Sequence, residues 1–134
     1  MEKIQLIGSR ITSITAKRDQ EFSGEVSIKT NIQIVSFDSV PEDDSTMKTS
    51  YVFEIDYGDL GNVKLNGVIF VKTTTEVIAS LIESLSEKKI EMEEHAYITN
   101  LIIQKASIKA FELEDELGLP IHMNLPKVQI KDKE

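Results

Sequence analysis

The tract from Met92 to Val128 limits the possible folds more than any other part of this chain. It asks for a long helix, an abrupt stop and an apolar extension in succession. Thr99, Ile103, Ala106, Ala110, Leu113 and Leu117 recur every three or four residues, which stacks them on one face of a helix. Leu101, Ile102, Ile108 and Phe111 widen that stripe, while Lys105, Lys109, Glu112, Asp115 and Glu116 mark the wet side. The spacing predicts a helix over Met92–Leu117, with Ala106 and Ala110 at its closest approach to a neighbour. Gly118 suits the left-handed cap position, and Pro120 cannot continue the helix. The residues from Leu119 to Val128 are apolar but include Pro120 and Pro126, which a central strand does not accommodate. They are expected to lie extended as a strap that buries Leu119, Ile121, Leu125 and Val128. A helix with such a strap needs a platform, which the preceding residues must supply.

The platform reads as four strands. Lys3–Lys17 carries Ile4, Leu6, Ile7, Ile11 and Ile14, and its apolar parity changes around Gly8, where one bulged residue would explain the shift. Val26–Phe37 is a second strand, with Val26, Ile28, Ile32 and Ile34 on one parity and Val35 and Phe37 on the other. Asp38–Thr49 is acidic, contains Pro41, and reads as a mobile loop. The clearest alternation is Tyr51, Phe53, Ile55 and Tyr57 against Val52, Glu54 and Asp56. Gly58, Asp59, Gly61 and Asn62 supply a turn, and Val63–Lys72 returns as the fourth strand, with a further parity shift at Gly67. Thr73 and Glu76 stand at capping-box spacing before a short helix, Thr75–Lys88, whose face is Val77, Ile78, Leu81, Ile82 and Leu85.

Strands followed by helices indicate an α+β fold: one antiparallel sheet with two C-terminal helices packed on one face. At 134 residues a single domain spanning 1–134 is the default. Because the strands carry apolar residues on both parities, the uncovered face is expected to be apolar and to bind a ligand or another copy of the chain.

Fifteen basic against twenty-three acidic residues give a net charge of −8, which repels a phosphate backbone unless the cations are segregated. They are scattered along the sequence, so nucleic acid is not an expected partner, whereas basic peptides are. Cysteine is absent, which removes disulfides and thiolate metal sites. The apolar runs are too short for membrane insertion, and no secretion signal opens the chain, so a cytoplasmic location is expected.

The layout resembles the SecB family of export chaperones, which has four antiparallel strands, a short helix, a linker, a long helix and an apolar tail. Val63-Lys64-Leu65-Asn66-Gly67-Val68-Ile69-Phe70 resembles that family's fourth strand, although Val68 is inserted between the glycine and the Ile-Phe pair. Leu119-Pro120 with Met123-Asn124-Leu125-Pro126-Lys127-Val128 resembles its proline-containing segment after the long helix, and Ile4-Gln5-Leu6-Ile7 fits its first strand. The resemblance implies a holdase that keeps unfolded polypeptide soluble, serves protein export, and assembles as a homotetramer, a dimer of dimers. It also implies a SecA-type export motor as a partner, for which Lys131-Asp132-Lys133-Glu134 is a short tail. Client chains would bind where the sheet meets the helices, against Tyr51, Phe53, Ile69, Phe70, Tyr97, Leu119 and Ile121. With aromatics at 6%, that pocket would be thin. No cofactor is implied, since a holdase releases its client by mass action.

Two other classes stay in view: a dedicated partner of one labile client, and an enzyme with a carboxylate site. His95 and His122 lack the i, i+4 histidine partner of a zinc site and read as solvated or hydrogen-bonded side chains. No serine sits in a Gly-x-Ser-x-Gly elbow. Asp56, Asp59 and Asn62 crowd one turn, but not at the spacing of an EF-hand calcium loop.

Overall fold

In the computed structural model, which describes residues 4–22, 24–86 and 93–122, the alternating segments become four strands. These are β1 (Gln5–Arg18), β2 (Lys29–Val40), β3 (Asp43–Asp56) and β4 (Gly61–Lys72), with a 3-10 turn at Gly58–Leu60 between β3 and β4. Two helices follow, α1 (Thr75–Ser86) and α2 (Glu93–Leu117). The strands lie in the order β1-β4-β3-β2, every neighbouring pair antiparallel. The chain thus builds the expected four-stranded sheet with two helices.

Phe53, Ile55, Leu65 and Ile69 are fully buried on the helical side of the sheet, in one core with Leu81 of α1 and Ile98, Ile102, Ala106 and Ala110 of α2. The β3–β4 ladder runs from Thr46↔Lys72 to Asp56↔Asn62 without a break, so its odd-numbered residues all face the helices. Gly67 therefore marks no parity shift. It lies opposite Tyr51, and a Cβ at Gly67 would come within 2.5 Å of the Tyr51 hydroxyl. Only a residue without a side chain lets the tyrosine ring fold over β4.

The apolar parity changes in the edge strands have a different cause, and they reduce the expected apolar outer face without removing it. Register shifts fall between Leu6 and Gly8 and between Ile11 and Ser13 in β1, and between Ile34 and Ser36 in β2. Each inserts one residue, which returns the following apolar side chains to the helical side. Leu6, Ile11, Ile14 and Ala16 thus share a face with Val71, Gly67, Leu65 and Val63. The outer face carries Ser13, Thr15, Asn31, Gln33, Ser50 and a set of charged groups beside the apolar Val52, Val68 and Phe70, and the residues skipped at two of the shifts, Ile7 and Val35, stay more than half exposed.

The acidic segment Asp38–Thr49 is also not a loop. β2 and β3 pair through it as Phe37↔Thr49, Asp38↔Lys48 and Ser39↔Met47, leaving a tight turn at Pro41 and Glu42. The Asp43 carboxylate accepts bonds from the Ser45 amide (3.0 Å), the Ser45 hydroxyl (2.8 Å) and the Thr46 hydroxyl (2.7 Å). These donors lower its pKa to about 2 and hold the turn closed.

Helix α1 is capped by Thr74 rather than Thr73: the Thr74 hydroxyl accepts the Val77 amide at 3.2 Å. Its buried side is Val77, Ile78, Leu81 and Ser84, with Ile82 left exposed. Along α2 the buried residues are Ile98, Ile102, Ala106, Ser107, Ala110, Leu113 and Glu114, so the face starts one position earlier than Thr99 and Ile103, which are half-buried. At the end of α2, Gly118 has φ 69°, and the Leu119 and Gly118 amides bond back to the Glu114 (2.8 Å) and Asp115 (3.4 Å) carbonyls. This paired closure satisfies carbonyls that the helix would otherwise leave bare. Leu119 is buried as expected and Ile121 is exposed, whereas Leu125 and Val128 lie outside the described residues.

Candidate functional site

Glu114 is a carboxylate on the buried face of α2, and its position decides how the chain leaves the helix. The Tyr57 hydroxyl at the end of β3 donates to Glu114 Oε2. The His122 amide donates to the same oxygen at 3.1 Å, and His122 Nδ1 lies 3.0 Å from both carboxylate oxygens. Burial, then the bond to Glu114 and its charge, raise the Tyr57 pKa, so the phenol stays protonated and donating. The His122 ring packs against Phe53 (centroids 5.8 Å apart) and Phe111 (5.1 Å). Three separate parts of the chain are thereby pinned to one buried carboxylate. No sequence motif announces the cluster; the only hint is a glutamate that shares a helix face with Ala106, Ala110 and Leu113.

Ser107 Oγ lies 3.2 Å from His122 Nε2, so serine, histidine and glutamate follow one another at the distances of a nucleophile, its base and an orienting carboxylate. Neither His122 nor Glu114 exposes any side-chain surface, and Ser107 lies in the middle of a helix whose amides serve its own ladder. Among the described residues Ser107 is itself buried, and its helix offers it no open cleft. The cluster is a fastening. His95 packs edge-on against Phe37 at 5.9 Å, and burial lowers its pKa, which keeps it neutral. Asp56 accepts the Gly58 amide at 2.8 Å as a turn residue, and no group of acidic or histidine side chains among the described residues has the geometry to hold a metal ion.

Just outside the fastening, a hollow of about 480 Å³ opens between the last turn of α2 and the residues after it, lined by Phe111, Glu114, Asp115, Gly118, Leu119 and Ile121. Large apolar side chains lie open on this side of the molecule: Ile108 is 60% exposed, Ile121 48% and Tyr97 38%. Tyr97, Leu101, Ile108 and Phe111 follow one another at helical spacing, which draws a second apolar stripe along α2 beside the buried one. A larger hollow of about 550 Å³ beside the β3–β4 turn is lined by charges of both signs, including Lys17, Arg18, Asp19 and Glu54.

The seven residues expected to meet a client are not brought together. Tyr51, Phe53 and Ile69 are buried in the core on the helical side. Phe70 points the opposite way, half-buried on the outer face beneath Arg10. Leu119 is buried but borders the hollow, while Tyr97 and Ile121 are open to solvent. Ile108 and Phe111 belong with these last three, and the sequence placed both in the stripe expected to pack inward.

No protein-family model matches the sequence, and no curated protein matches it either. Among solved structures, the chain is similar to the SecB-like chaperone Rv1957 of Mycobacterium tuberculosis, solved in complex with a ChAD peptide from the Rv1956 HigA1 antitoxin. The match covers 94% of this chain and 90% of that one, with a TM-score of 0.58 and 13% sequence identity. The fold is SecB-like.

Proposed function

We propose that this protein is a polypeptide-binding chaperone, which takes extended apolar segments of non-native chains on the α2 side of its sheet. The observation that carries this reading is the hollow of Phe111, Leu119 and Ile121, with Ile108 and Tyr97 exposed further along the same stripe of α2. Apolar burial is non-directional and so tolerates many sequences. Glu112, Asp115 and Glu116 on the same helix draw basic segments toward it. The Glu114 fastening fixes the angle at which Leu119 and Ile121 leave the helix, so one wall of the hollow is preorganised. Binding requires no nucleotide. The work is proposed to take place in the cytoplasm, on behalf of export or of a single partner.

The test is light scattering of several unrelated unfolded proteins in the presence of the purified chain, with anisotropy of a labelled apolar-basic peptide as the direct measure. Ile108→Ser with Ile121→Ser changes only exposed side chains, and is expected to weaken peptide binding roughly tenfold or more. Unchanged binding removes the hollow from the reading. Failure to protect any client, with the peptide unbound, removes the chaperone. The fold neighbour's bound antitoxin peptide supports a second version, a chaperone dedicated to one labile client. Protection confined to one protein among many distinguishes it.

Self-association is part of the proposal. Its support comes from the open stripe of α2, from exposed Ile7 and Val35 on the edge strands and from the family resemblance. Sedimentation at micromolar concentration is expected to show a dimer or tetramer, and a monomer throughout would remove it.

A further inference from the structure

Residues 119–122 do not simply leave α2; they turn back along it. The Gly118 and Leu119 amides bond the Asp115 and Glu114 carbonyls, and Ile121 borders the same hollow as those residues. His122 then bonds the Glu114 side chain, packs against Phe111 with centroids 5.1 Å apart, and reaches Ser107 at 3.2 Å. As the residue number rises from 118 to 122, the α2 partners fall from 115 to 107, so the segment runs antiparallel to the helix. Ahead of it on the same side lie Gln104, Asn100 and Tyr97, all exposed and at helical spacing. Half-buried Ile103 and exposed Ile108 flank this path. At its far end Glu93 and Glu94 stand in the first turn of α2. Of the two lysines on the helix, Lys109 is paired with Glu112 at 3.0 Å, and Lys105 falls on the next side.

We infer that residues 123–130 continue on this path and dock on the open stripe of α2, as an internal stand-in for the client. Their sequence suits it. Met123 and Leu125, then Val128 and Ile130, are spaced by two, so an extended chain turns each pair to one side. From Ser107 back to Glu94 is about 20 Å of helix, and eight extended residues reach about 26 Å. Lys127 falls about 17 Å along, which brings a cation to the acidic first turn. Pro126 costs nothing here, because a segment lying on a helix completes no strand ladder. With His122 fixed at the near end, the segment is presented at an effective concentration of roughly millimolar order, so weak contacts suffice. It is apolar and basic, the chemistry assigned above to clients. The consequence rests on that reading: an incoming chain must displace the segment before it gains the stripe.

The chain has no cysteine, so Gln129→Cys carries a single nitroxide label on the full chain. Amide signals from Tyr97 to Gln104 are expected to broaden, while those of the β3–β4 turn stay sharp. An excess of unlabelled apolar-basic peptide should restore the broadened signals. Absent or uniform broadening overturns the proposal. Broadening seen only between spin-labelled and isotope-labelled copies also overturns it, since a second copy then covers the stripe. Leu125→Ser with Val128→Ser should raise affinity for the apolar-basic peptide about threefold, the gain from freeing a site covered about two thirds of the time. Where the unaltered chain binds the peptide, equal or weaker binding by this variant, folded by circular dichroism, overturns the proposal as well. Broadening within one chain, with the peptide bound by neither protein, would remove the chaperone reading and keep the segment on α2.

Discussion

Val52 and Phe53 are neighbours on β3, yet they face two different environments. Phe53 is sealed in the core beside His122, while Val52 is only half-buried, opposite Gln33 and Asn66 on a face of hydroxyls, amides and charges. The central strands keep this division by strict alternation. The edge strands keep most of it by inserting residues, while two of the inserted residues, Ile7 and Val35, stay exposed. A sheet face is thus a property of the ladder rather than of any one strand's parity. An edge strand with apolar residues on both parities can still send most of them to one side.

The comparison breaks most visibly by truncation. Phe53→Ala should cost about 3–5 kcal/mol, and Val52→Ala under about 1 kcal/mol. Similar losses in chemical denaturation would mean that the outer face is covered in solution. Next comes Glu114→Leu, which strands the Tyr57 hydroxyl and the His122 amide in the core and should cost about 2–4 kcal/mol, with Tyr57→Phe costing less. A neutral Glu114→Leu would show that the segment after α2 is held by packing alone. The two glycines sharpen the contrast at smaller scale. Gly67→Ala drives a methyl into the Tyr51 hydroxyl and should cost about 1–3 kcal/mol, whereas Gly8→Ala meets nothing closer than 3.8 Å and should stay within about 0.5 kcal/mol. The smallest effect is a pH dependence. His95 has a folded pKa below its ordinary 6.5, so the native state binds fewer protons than the unfolded chain. Its contribution is whole above 6.5 and is lost as pH falls through the lowered value. His95→Gln should therefore flatten the acid side of the Tm profile slightly, and an unchanged slope would place the ring in water.

The alternation of Tyr51 to Tyr57, the glycine and proline after Leu117, and the two helices were legible because local spacing alone determines them. Three features were not. Asp43 turns an acidic stretch into paired strand through contacts two and three residues on, and the same composition serves a loop equally well. Leu101, Ile102 and Ile103 put apolar groups nearly all round α2, so the sequence could not fix which side faces the sheet. The packing of Ile98 and Ile102 does that. The candidate site suffered most, since Tyr51, Phe53 and Ile69 were attractive for their size, and large apolar residues on central strands are what a core consumes first.

The strand order β1-β4-β3-β2 also has a temporal meaning. β2, β3 and β4 form a meander of short-range pairings, but Gln5 finds its partner only at Lys72, so the first strand synthesised must wait for the last. Closing that separation costs chain entropy before any contact returns it, and such pairings form late and slowly. Until then Leu6, Ile11 and Ile14 sit on an unpaired, aggregation-prone segment. Pulse-labelled hydrogen exchange during refolding should find the amides of the meander protected before those of β1. Simultaneous protection would mean that the N-terminal strand is already held when the first hairpins close.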